Sequence, residues 1–169
     1  KADLVIRGGT IVDGSGRPAY VADVVVSGDR IAAIGKHDGP AHEVIDARGK
    51  VVTPGFVDVH THLDAQITWD PLGSPSNLHG VTSAIVGNCG VGFAPCKPQD
   101  RDYLMFLMEG VEDVPRAAMK EGIAWRWETF PEYLEHLASS RLGINVGAHL
   151  SHAPLRIWAM GEKGATDAP

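Results

Sequence analysis

The sequence predicts an α/β fold, with a small antiparallel β unit over residues 1–53 and parallel β/α units over residues 54–169. Three observations carry that prediction. Short β-branched runs separated by glycine-rich turns fill the first third of the chain. Beyond them, strand-length apolar runs alternate with segments whose apolar residues recur at helical spacing. Between the two lies Thr53-Pro54-Gly55-Phe56-Val57-Asp58-Val59-His60-Thr61-His62, an apolar run opened by Pro54-Gly55 and closed by two histidines.

Composition bounds the rest. The chain has 169 residues, 44% hydrophobic and 21% charged, with a formal net charge of -6. That suffices for one sizeable core. The mild acidity and the lack of a basic run point away from nucleic acid. No apolar stretch approaches the roughly 20 residues of a membrane helix, and the first residues read as a strand, not as a leader. Two cysteines make no disulfide scaffold, so a cytoplasmic location is expected.

In chain order, the first strands are Leu4-Val5-Ile6, ended by Gly8-Gly9, and Thr10-Ile11-Val12, ended by Gly14-Ser15-Gly16. Val21 to Val26 and Ile31 to Ile34 flank Gly28-Asp29, which suggests a tight hairpin. Glu43 to Asp46 and Val51-Val52 complete an antiparallel set. His37 and His42 fall in polar loop sequence and read as solvated.

The second part follows a different rhythm. Val81 to Val86 is a buried strand ending in Gly87-Asn88-Cys89-Gly90. Asp100 caps a helix with Leu104, Leu107, Met108 and Val111 at helical spacing; Met105 and Met108 read as packing. Thr129 and Glu132 form a capping box before a helix faced by Phe130, Leu134 and Leu137. Gly143 to His149 is a third buried strand. Strand, helix, strand implies parallel β/α units, and three strands do not close a (β/α)₈ barrel, which takes about 250 residues. Gly161 to Pro169 is polar and offers no terminal element. The chain is therefore expected to be part of a longer protein.

Strand alternation predicts that His60 and His62 project from one side at the strand's carboxyl end. Two imidazoles there can grip a zinc-like metal, although a strand end with two surface histidines has the same pattern. Cys89 ends the second strand among glycines that let the backbone turn. A thiolate beside two imidazoles suits zinc; the alternative is a small buried hydrophobe. Asp58 shares the histidines' face and is expected to orient one of them. Asp64 and Gln66 lie on the loop expected to border a substrate, while Asp70 shapes a turn. His79 is at the wrong end of its strand for a ligand, and His136 reads as solvated on its helix. His149 and His152 flank the third strand's end, where core or rim roles fit better than pocket contact. Cys96 sits in loop sequence and is not expected to be a ligand or to pair with Cys89.

Asp58-Val-His60-Thr-His62 after Thr53-Pro54-Gly55, behind Asp3-Leu-Val-Ile-Arg-Gly-Gly-Thr10, resembles the amidohydrolase superfamily. Asp64-Ala-Gln66, Trp69-Asp70-Pro71, His79-Gly-Val-Thr82 and Gly87-Asn-Cys89-Gly90-Val-Gly-Phe-Ala-Pro95 resemble, within it, the N-acyl-D-amino-acid deacylase (D-aminoacylase) family. The resemblance implies the start of a (β/α)₈ TIM-like barrel behind part of a β-sandwich that a later segment would finish. It implies one or two zinc ions, with His60, His62 and Cys89 as ligands. The remaining histidine ligands and a general-base aspartate would lie beyond Pro169, as part of the remainder of the same polypeptide, so the catalytic residue is unassigned. The implied reaction is hydrolysis of an N-acyl-D-amino acid to a D-amino acid and a carboxylate, and residues 1–169 alone are expected to be inactive. Asp64 stands where dihydroorotases place a substrate-binding arginine. The alternatives are a cyclic-amide hydrolase of hydantoinase or dihydroorotase type, and a catalytically silent scaffold.

Overall fold

The computed structural model describes residues 1–161 and 163–166. The described residues divide into two compact units, Lys1–Pro54 and Gly55 onward. In the first unit, β1 (Ala2–Ile11), β2 (Tyr20–Ser27), β3 (Arg30–Gly35), β4 (Ala41–Asp46) and β5 (Val51–Val52) form one sheet. Its order is β3-β2-β1-β4, with β5 also paired to β1. The hairpin at Gly28-Asp29 joins β2 to β3, with Ser27 opposite Arg30.

Two expectations need correction here. Gly8-Gly9 does not end a strand: β1 runs through it as a bulge, the register shifting between Ile6 and Gly9. Gly8 takes φ +67°, a conformation open to glycine at such a bulge. Nor is the sheet wholly antiparallel, because β4 and β5 both pair with β1 in parallel. Alternation and turns reveal strands, whereas pairing partners beyond a hairpin depend on contacts distant in sequence. His42 accordingly lies within β4, exposed. His37 is half-buried, its backbone N–H donating to Asp23.

The second unit holds a parallel sheet ordered β6 (Phe56–Asp58), β7 (Val81–Val86), β8 (Asn145–Ala148). The β6–β7 connection contains two short 3₁₀ turns, Gln66–Thr68 and Ser76–His79, and no α-helix. Pro71 and Pro75 and the Asp70 turn explain that: neither proline supplies a helical N–H. Between β7 and β8 lie α1 (Arg101–Glu112), α2 (Arg116–Gly122) and α3 (Phe130–Ser139). After β8 come α4 (His152–Met160) and the single turn α5 (Lys163–Thr166). The tail thus carries one helical turn where none was expected. It is tied back by Arg156, whose Nε donates to the Gly164 carbonyl at 2.7 Å. Glu162 and residues 167–169 lie outside the described residues.

The core sits under the sheet. Ala84 and Val86 of β7 meet Leu104, Met105 and Met108 of α1, Met119 of α2, and Tyr133 and Leu137 of α3, all buried. Phe93, Cys96 and Trp127 fill the space between, with Trp127 Nε1–H donating to the Phe93 carbonyl at 2.8 Å. Met105 and Met108 pack, as expected. Val111 and Leu134 are instead exposed, and Tyr133 takes the inward place on α3. Asp100 leads into α1 through a 3₁₀ turn without a side-chain cap bond. The Thr129–Glu132 capping box on α3 is complete. β8 is only half-buried. Among the described residues, no helix is long and apolar enough to cross a membrane.

Candidate metal centre

The reactive side chains gather beyond the carboxyl ends of β6 and β7. β6 stops at Asp58, so His60 and His62 stand on the loop after the strand and not on it. Strand alternation therefore does not aim them. A bend does: Asp58 Oδ1 accepts the backbone N–H of His60 at 3.2 Å. That is also a correction for Asp58, which holds the backbone of His60 where its ring was expected to be held. The two rings meet edge to face with centroids 5.6 Å apart.

Cys89 arrives from the neighbouring strand end. The chain leaves β7 through Gly87, with φ +83°, and Cys89 itself is left-handed at φ +54°. A Cβ on Gly87 would lie 2.5 Å from the His149 carbonyl oxygen, so only glycine fits. For a non-glycine residue the Cys89 conformation carries strain, and it places Sγ 3.1 Å from His60 Nε2. His60, His62 and Cys89 each offer a ligand atom, and these atoms all lie within 4.8 Å of one another. Cys89 and His60 are exposed and His62 is half-buried.

Asn88 was not singled out by sequence reasoning. Its Nδ2 donates to the Ile85 carbonyl at 2.7 Å and to the Thr61 carbonyl at 3.2 Å. Thr61 lies between the two histidines, so one amide ties their loop to the end of β7. Its place beside Cys89 was the only available signal. Glu112, the last residue of α1, was also missed; its Oε1 lies 3.6 Å from His62 Nε2. Nothing local in the sequence relates residues 50 apart.

On the loop expected to border a substrate, Asp64 lies inward and Gln66 is half-buried. Asp64 is 2% exposed, with Oδ2 lacking a partner. Burial pushes its carboxyl up to about 7, with the Glu112 charge acting in the same direction. Gln66 Nε2 donates to Asp70 Oδ2 at 3.0 Å and to the Ser74 carbonyl, so its amide is spent inside its own loop. Asp70 shapes that turn, accepting from the N–H groups of Leu72 and Ser74. The apolar Leu63 and Ala65 alternate with Asp64 and are also buried, which carries the whole segment inward.

The remaining candidates lie outside the cluster. His79 is exposed on its 3₁₀ turn, and His149 and His152 are exposed beside β8 and at the start of α4. His136 is not solvated: it stacks on Trp127 at 5.1 Å, and burial lowers its pKa. Cys96 is 1% exposed, its thiol pushed up to about 12 by burial, and both cysteines are free.

This donor set suits a borderline-soft ion: two imidazoles and a thiol converge, and His62 Nδ1 is buried without a partner. Comparison with known proteins gives concordant likenesses. The sequence profile described as "Amidohydrolase family" matches residues 43–169. A D-aminoacylase of Alcaligenes xylosoxydans xylosoxydans is 38% identical over 98% of this chain and 32% of its own length. An allantoinase of Escherichia coli is 52% identical, over 36% of this chain and 13% of its own. Among solved structures, N-acyl-D-glutamate deacylase from Bordetella bronchiseptica, complexed with zinc and a phosphonate mimic of the tetrahedral intermediate, superposes with TM-score 0.80. It is 37% identical over all of this chain and 33% of its own. The chain thus spans about a third of the length of those two deacylase relatives.

Proposed function

The chain belongs to the amidohydrolase family, and from that we propose that it is part of a zinc-dependent hydrolase acting on the linear amide of N-acyl-D-amino acids. Water adds to the acyl carbon, the C–N bond breaks, and a carboxylate and a D-amino acid leave. The observation that carries the reading is the convergence of His60, His62 and Cys89 within 4.8 Å. Those residues would hold the ion, which when bound supplies Lewis acidity and a water of lowered pKa.

The chain's own residues have separable tasks. Asp58 and Asn88 fix the backbone that carries the histidines. Gly87 allows the turn that delivers the thiol. Asp64 and Gln66 support the loop from behind, Asp64 from a buried position and Gln66 through its bonds to Asp70 and the Ser74 carbonyl. The parallel order β6-β7-β8, with donors beyond carboxyl ends, supports the start of a (β/α)₈ barrel. Residues 1–53 are read as part of a separate β-sandwich and 54–169 as the first barrel units. The general base and further ligands are assigned to no residue of this chain, and residues 1–169 alone are expected not to turn over.

A linear amide is preferred to a cyclic one because the deacylase likeness runs over 98% of the chain and the allantoinase likeness over 36%. The test is to assay the intact protein with N-acetylated D-amino acids, their L-enantiomers, allantoin and hydantoin, before and after removing zinc with a chelator. Zinc-dependent release of a D-amino acid is expected. Zinc-dependent opening of the cyclic amides alone would overturn the linear reading.

A further inference from the structure

Ser151 precedes α4 at the position where serine ordinarily caps a helix by accepting an N–H of the first turn. Its side chain makes no such bond, and the third helical residue is Pro154, which has no N–H to give. The hydroxyl is engaged elsewhere. Its Oγ donates to the Gly87 carbonyl at 3.0 Å, and Ser151 is 3% exposed. The His149 N–H donates to the Val86 carbonyl at 2.9 Å, which sets the ends of β8 and β7 side by side at this point. The approach is close on both flanks: a Cβ on Gly87 would lie 2.9 Å from Ser151 Oγ, and one on Gly92 2.7 Å. Those two glycines bracket Asn88-Cys89-Gly90-Val91, so the cysteine turn is seated on one buried hydroxyl.

We infer that Ser151 is a positioning residue for the Cys89 thiol, fixing from the β8 side the turn that aims Sγ at the histidines. A left-handed cysteine, here at φ +54° and ψ +16°, persists only where its surroundings hold it there. The Asn88 amide supplies one such hold, tying the turn to the histidine loop through the Thr61 carbonyl. Ser151 supplies a second, from the opposite strand. The Gly87 carbonyl belongs to the peptide that joins Gly87 to Asn88. A donor on that oxygen fixes the plane of the peptide, and with it the direction from which the chain enters Cys89. The bond is to backbone, so Ser151 acts through the turn and not on the sulfur. The inference rests on the metal-centre reading and adds to it a support from the third strand.

The test uses the intact protein, stripped of metal and titrated with cobalt(II), which takes nitrogen and sulfur ligands as zinc does. A cobalt–thiolate bond adds a charge-transfer absorption band, so the band per bound cobalt reports whether the sulfur is in place. Three variants are compared with wild type. Ser151→Ala removes the hydroxyl, and Gly92→Ala keeps the serine but places a Cβ against its oxygen. Ser140→Ala removes a hydroxyl that also donates to a backbone carbonyl, that of His136 at 2.9 Å, at the end of α3. Wild type is expected to show the band. Ser151→Ala and Gly92→Ala are expected to lose most of it, with cobalt affinity down about 10-fold, the lower end of the cost of removing an outer support of a metal ligand. Ser140→Ala is expected to keep both and only to melt lower. A full band in both Ser151→Ala and Gly92→Ala, or an equal loss in Ser140→Ala, would overturn the role of Ser151. A wild-type protein that binds no cobalt, or binds it without the band, would instead remove the three-ligand reading of the centre, and this inference with it.

Discussion

Cys89 and Cys96 carry the same thiol into opposite environments. Cys89 is exposed between two imidazoles, while Cys96 is buried with its thiol pushed up to about 12. A thiol-specific reagent at neutral pH is therefore expected to modify Cys89 and spare Cys96, and zinc is expected to protect Cys89. Mass mapping of the modified peptides checks both statements. Asn88 makes a second residue-scale case. Removing an amide that satisfies two carbonyls costs about 1–3 kcal/mol, so Asn88→Ala should lower the melting temperature as well as zinc affinity. His-x-His and Gly-Asn-Cys-Gly were legible as donors because each is a local pattern. What aims them was less so: strand alternation does not reach His60 and His62, and backbone bonds to Asp58 and Asn88 perform that task.

At the scale of elements, α3 was legible to its cap because Thr129 and Glu132 are three residues apart. Glu132 Oε2 accepts the N–H groups of Glu128 and Thr129, and Thr129 Oγ1 accepts that of Glu132. Thr129→Ala should cost about 1 kcal/mol, read by denaturant unfolding. α2 and α4 leave little signal in the sequence. Arg116-Ala-Ala-Met-Lys-Glu-Gly122 is too short for a periodic face, and Pro154 in the first turn of α4 reads in sequence as a breaker. Even so, Met119 of α2 is fully buried, and Met119→Ala is expected to cost about 2–5 kcal/mol. In the first unit Asp23 joins two elements, accepting the N–H of Gly8 at the β1 bulge and of His37 after β3. Those bonds hold its carboxyl below the usual value, so they stabilise the folded state above pH about 4 and are lost as pH falls through the lower folded value. Asp23→Asn should therefore destabilise the protein at neutral pH, with the difference from wild type shrinking in acid.

At the scale of the whole molecule, the division near Pro54 followed from a change of rhythm. Residues before it alternate between short strands and turns; those after it alternate between strands and helices. The parallel pairing of β4 and β5 with β1, and the reach of α1 to His62, were not legible, since each depends on partners tens of residues apart. The central claim is that three side chains from two adjacent strand ends hold one ion. It is tested most directly by zinc K-edge X-ray absorption on the intact zinc-loaded protein and its Cys89→Ala variant. Wild type is expected to show a sulfur scatterer near about 2.3 Å together with nitrogens near about 2.0–2.1 Å, and the variant to lose the sulfur shell. A wild-type spectrum without sulfur, or one left unchanged in Cys89→Ala, would contradict it.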